Sequence, residues 1–82
     1  MFSTLNFRDH VIPGATVAMQ TFKNGWAVSV VAGPEHSGLY GIIGEDTFEV
    51  GIIRPNNNML EDVMSWQTPV QVSTIMRLVE ML

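Results

Sequence analysis

The sequence predicts an α+β domain: an antiparallel sheet of two or more hairpins packed against a C-terminal amphipathic helix. Three observations predict it. Thr68-Pro69-Val70-Gln71 reads as a helix start, because Thr68 can cap, Pro69 suits the first turn and Gln71 can close a capping box onto Thr68. Asn24-Gly25 between two apolar runs marks a hairpin. Everything else before the helix breaks into short runs separated by Gly- and Pro-rich turns, which is the pattern of strands.

Residues 1–14 close on a Pro13-Gly14 turn, and Phe2, Leu5 and Phe7 form either a short alternating strand or a packed arm. Ala15 to Phe22 and Trp26 to Val31 flank Lys23-Asn24-Gly25. A two-residue Asn-Gly loop sets Lys23 opposite Trp26, Thr21 opposite Val28 and Met19 opposite Val30, sharing one face with Val17. Phe22 with Ala27, Gln20 with Ser29 and Ala18 with Val31 then take the other face. Residues 33–38 are a loop by composition. A second hairpin is expected from Leu39–Ile43 and Thr47–Ile53 around Gly44-Glu45-Asp46. Phe48, Val50 and Ile52 share one face with Leu39, Gly41 and Ile43; Tyr40, Ile42, Glu49 and Gly51 take the other.

Arg54 to Asn58 ends the sheet. Met59 to Trp66 is read as a short helix capped by Asn58, with an extended connection as the alternative. In the last helix Val72, Ile75, Met76, Val79 and Leu82 form a stripe at helical spacing, whose burial against one sheet face builds the core. Val70, Leu78 and Met81 fall outside that stripe. They imply either fraying at the end of the helix or a second contact surface.

The chain has 82 residues, enough for one domain with a thin core, and no cysteine, so neither a disulfide nor a thiolate metal site supports it. Charged residues make up 15% of the chain, against about 25% in ordinary domains. That shortage points to a surface covered by a homodimer mate or a host partner. Arg8 and Lys23 balance Asp9 and Glu35 in the first half, so the net charge of −4 resides in residues 42–82. Four scattered basic residues do not make a phosphate-binding surface, which argues against direct nucleic-acid binding and for a basic protein partner. No apolar run is long enough to span a membrane, and Met1 to Asp9 does not read as a secretory signal, so the expected location is cytoplasmic.

Chemistry-bearing residues are few. His10 and His36 are the only histidines, and His36-Ser37 lies in a Gly/Pro loop where a nucleophile–base pair is hard to hold. His10, Glu35 and His36 lack the spacing of metal ligands, and the glycines form neither a dinucleotide nor a phosphate loop. No catalytic residue, metal or cofactor is therefore expected. Glu45, Asp46, Glu49, Glu61 and Asp62 read either as solvated turn charge or as an acidic, contiguous patch that meets Arg or Lys on a partner. Trp26 and Trp66 are expected in the core, with Trp26, just after a turn, the better candidate for a partner anchor.

In size, acidity and order of elements, hairpins followed by a capped helix, the chain resembles the small accessory proteins of bacteriophages, of which the anti-CRISPR proteins are the best-known class. That resemblance implies a stoichiometric inhibitor that occupies a nucleic-acid-binding surface of a host ribonucleoprotein complex such as a CRISPR effector. It carries no individual residue across. The function expected is thus non-enzymatic protein binding; the alternative is a homo-oligomeric structural or regulatory subunit.

Overall fold

A computed structural model describes residues 1–82. Five strands form one antiparallel meander, in spatial order β1 (Arg8–Asp9), β2 (Thr16–Thr21), β3 (Ala27–Ala32), β4 (Phe48–Ile53) and β5 (Leu60–Gln67). The helix α1 (Pro69–Glu80) follows β5 directly, with Thr68 as the single joining residue. The expected α+β fold, sheet against terminal helix, is the one observed.

The start of α1 is built as the sequence predicts. Thr68 Oγ1 accepts from Gln71 N–H at 3.3 Å, and Gln71 Oε1 accepts from Thr68 N–H at 2.9 Å, closing the capping box ahead of Pro69. Two otherwise orphaned N–H groups are satisfied this way. Val72, Ile75, Met76 and Val79 are buried, and they pack on Phe22, Val28, Val30, Ala32, Phe48 and Val50. Leu82 leaves the stripe and is exposed, as are Val70, Leu78 and Met81.

The first hairpin forms, but in a different register. Thr21 pairs with Ala27, Met19 with Ser29 and Ala18 with Val30. The loop has three residues, not two: Gly25 N–H donates to Phe22 O at 2.9 Å and Phe22 N–H donates to Trp26 O at 2.7 Å. Only Gly25 takes a left-handed φ, at +88°, as a turn followed by a glycine bulge requires. Asn24 is used instead through its side chain. Its Oδ1 accepts from Trp26 N–H, and its Nδ2 donates to the carbonyls of Val79, Glu80 and Leu82. The one-residue shift exchanges the face partners. Ala18 and Phe22 share the helix side with Val28 and Val30, while Val17, Met19 and Thr21 share the other side with Ala27, Ser29 and Val31.

The second expected hairpin does not form. Residues 39–43 add no strand; Ile42 makes only a parallel bridge to Gly33, and β4 pairs instead with β3 and β5. Gly41 lies directly on the backbone of β4, where a Cβ would stand 2.6 Å from Phe48 Cα. The segment therefore crosses the end of the sheet instead of lying beside it. Ile43–Glu45 forms a 3-10 turn, closed by Asp46 at φ +55°.

Met59 to Trp66 is a strand, not a helix. Asn58 has φ +54°, outside the extended geometry of an N-cap, and Asn57 Oδ1 accepts from Met59 N–H at 3.0 Å to tighten the β4–β5 turn. A helix this short has little stability by itself, whereas pairing with β4 satisfies the same backbone groups. The N-terminal segment is an arm. A 3-10 turn, Phe2–Thr4, is tied to α1 by Phe2 N–H donating to Ser73 Oγ at 2.8 Å. Phe2 and Leu5 pack on the core.

Candidate functional site

The expected acidic patch divides between the two ends of β4. Glu45 and Asp46 stand before its first residue, while Glu61 and Asp62 start β5 opposite its last residues. Six strand residues, about 20 Å, separate the two groups. Arg54 engages Glu61, with Nη2 at 2.6 Å and Nε at 2.8 Å. Both side chains are about half exposed, so the pair contributes little to stability. Asp62 is exposed and bonds to its own strand, Oδ1 accepting from Val63 N–H at 2.8 Å. Glu49 Oε1 accepts from Tyr40 N–H at 3.0 Å and so holds the crossing segment. Only Glu45 and Asp46 remain exposed without a partner for their carboxylates.

Asp46 borders an apolar hollow of about 320 Å³, lined by Phe2, Phe7, Thr16, Ile43, Asp46 and Phe48. Three aromatic rings form its wall. Phe2 lies 5.0 Å from Phe48 and 5.8 Å from Phe7, and Phe7 lies 5.7 Å from Phe48, all tilted. The arm supplies Phe2 and Phe7, β4 supplies Phe48, and the turn before β4 supplies Ile43 and Asp46. The left-handed φ of Asp46 suits an Asp and turns the chain at the mouth of the hollow. A packed arm is one of the two readings of Phe2, Leu5 and Phe7 in the sequence, but nothing there sets the arm beside Phe48; the three rings meet only through tertiary packing.

Trp26 is half-buried, packs on the core and borders a separate shallow hollow with Arg54, Pro55, Asn56, Asn57 and Glu61. Trp66, expected in the core, is 48% exposed. It sits at φ +59° where the β4–β5 register slips, its N–H donating to Tyr40 O at 2.9 Å and its ring meeting Tyr40 edge-on at 6.0 Å. A bulky residue in that region is uncommon and costs about 1–2 kcal/mol. The Tyr40 contacts hold it there.

His10 Nδ1 accepts from Ile12 N–H at 3.0 Å, which fixes the turn before β2. His36 is exposed at φ +65° in the loop after β3. No group of three His, Asp or Glu side chains is placed to hold a metal ion. No helix is long and apolar enough to cross a membrane. No protein-family model, curated protein or solved structure matches this chain.

Proposed function

We propose that this chain is a non-enzymatic protein-binding module that takes a basic side chain of a host nucleoprotein complex into the hollow between the arm and β4. In the reading that the phage-protein resemblance suggests, the host complex is a CRISPR effector. The chain acts by occupying a surface that would otherwise meet nucleic acid. One observation carries the reading: an aromatic-walled, apolar hollow with Asp46 in its lining and the exposed Glu45 next to Asp46 in the chain. An arginine or lysine has the matching form. Its aliphatic stem lies against Phe7 and Ile43, and its charged head reaches the carboxylates or lies over a ring. Surfaces that bind nucleic acid are rich in such side chains.

The test is target-DNA cleavage by purified CRISPR effector complexes, with the chain added at stoichiometric amounts. The expected result is inhibition, lost on combining Glu45→Gln with Asp46→Asn, a pair that removes charge while keeping a residue tolerant of the left-handed turn. Uninhibited cleavage by every effector type rules out the inhibitor reading. Inhibition that survives the double neutralisation moves the site elsewhere.

A further inference from the structure

The sheet face turned away from α1 meets no helix. Its rows, read across the strands, are Arg8, Val17, Val31 and Glu49; Met19, Ser29, Gly51 and Val63; and Thr21, Ala27, Ile53 and Leu60. Arg8 and Glu49 are the only charged residues among them, and their charges cancel. Met19 is 61% exposed and Val63 41%, with small residues between them. Leu60, 56% exposed, lies down over Gly51, with its Cδ1 2.9 Å from where a Cβ of that glycine would be.

The two ends of this face differ. At the end of β3 the loop 33–42 rises over it, where Ser37 and Leu39 come within 3.2 Å of a Cβ position on Gly33. At the other end stand the tight turn Lys23–Gly25 and the β4–β5 turn, which meet where Pro55 comes within 2.8 Å of a Cβ position on Gly25. The charges at the ends also differ. The loop carries Glu35 and the turn carries Lys23, both exposed, and neither belongs to the one ion pair of the chain, Arg54–Glu61.

We propose that a second copy of this chain covers the face, related by a two-fold axis that crosses the strands at the level of Ser29. That axis fits the raised loop of each copy over the turn end of the other and sets Lys23 of each copy near Glu35 of its mate. The uncharged row Met19, Ser29, Gly51 and Val63 then meets itself. A two-fold contact must be self-complementary in this sense. Ion pairing from both ends and an apolar centre satisfy the requirement, whereas the face offers a basic or acidic partner no net charge to read.

The β5 edge is a poorer route to a dimer. Asp62 Oδ1 already takes Val63 N–H, Gln67 Nε2 donates to Ser65 O at 2.8 Å, and the strand carries two register slips. Such features discourage edge pairing. Four strands at about 4.8 Å spacing and six residues of rise give a footprint near 400 Å² per copy. The total of about 800 Å² is below that of a permanent interface, so the dimer is reversible.

Sedimentation equilibrium of the full chain, from about 5 µM to about 1 mM, tests this, with circular dichroism as the check of fold. The expected result is a monomer–dimer equilibrium. Met19→Glu, at a site exposed in the monomer, sets two carboxylates against each other across the axis and weakens dimerisation at least about tenfold. Lys23→Glu and Glu35→Lys each weaken it, and the two together restore it. A chain that stays monomeric throughout overturns the proposal. So does a dimer indifferent to Met19→Glu, or a double charge swap no tighter than the single ones. The hollow with Asp46 lies on the helix side of the sheet, so Glu45→Gln with Asp46→Asn leaves the dimer unchanged; failure here and failure of the binding reading are separate results.

Discussion

Asn24 binds the first hairpin to the end of the helix, and replacing it measures what that bond is worth. Its Nδ2 lies 2.9 Å from Val79 O, 3.1 Å from Glu80 O and 3.1 Å from Leu82 O, and its Oδ1 accepts from Trp26 N–H at 3.1 Å. Two donor hydrogens and one acceptor give three simultaneous bonds at most. Each contributes about 0.5–1.5 kcal/mol net, toward the low end here because Asn24 is exposed, so Asn24→Ala should cost about 2 kcal/mol. For a domain of this size that lowers Tm by about 10 °C. Asn24→Asp is the sharper variant. It keeps the acceptor for Trp26 N–H but sets a carboxylate against the last carbonyls of α1, at the negative end of the helix dipole. It should therefore be at least as destabilising as Asn24→Ala, and added salt should recover part of the loss for the aspartate alone. Urea denaturation followed by circular dichroism, at low and high salt, gives both numbers. If Asn24→Asp is within about 0.5 kcal/mol of the unsubstituted chain, the clamp is not a stabilising element and the reasoning fails.

Two glycines should respond in opposite ways. A Cβ on Gly41 would meet Phe48 Cα at 2.6 Å and Glu49 N at 2.8 Å, so Gly41→Ala should cost about 3 kcal/mol or more, while Gly44 has nothing within 4 Å and Gly44→Ala should be neutral or slightly stabilising in the same denaturation assay. At Trp66 the usual strand preference should reverse: Trp66→Gly should be more stable than Trp66→Ala by about 1 kcal/mol, because only glycine adopts φ +59° without strain. Thr68→Ala should cost about 1 kcal/mol through loss of the cap, and an unchanged Tm would contradict the capping box.

The sequence by itself determined the parts whose instructions are local. The capping box of Thr68 and Gln71, the apolar stripe from Val72 to Val79, the alternation of Phe48, Val50 and Ile52, and the Pro13-Gly14 turn all appear as read, because each depends on residues within one or two turns of chain. Tertiary structure decided the rest. Asn24-Gly25 fits two hairpin loops, and the three-residue form was selected by carbonyls 55 and more residues away that take the Asn24 side chain. Met59 to Trp66 reads as a short helix or an extended connection, and the free edge of β4 made it a strand. Leu39 to Ile43 alternates like a strand, yet Gly41 lets it cross the sheet end. The candidate site was legible only as the carboxylates of Glu45 and Asp46. Its aromatic wall joins Phe2 and Phe7 of the arm to Phe48, more than forty residues away, and the face without a helix exists because α1 is the one α-helix for two sides of one sheet. Periodicity shows which residues avoid water, but not which distant segment will shield them.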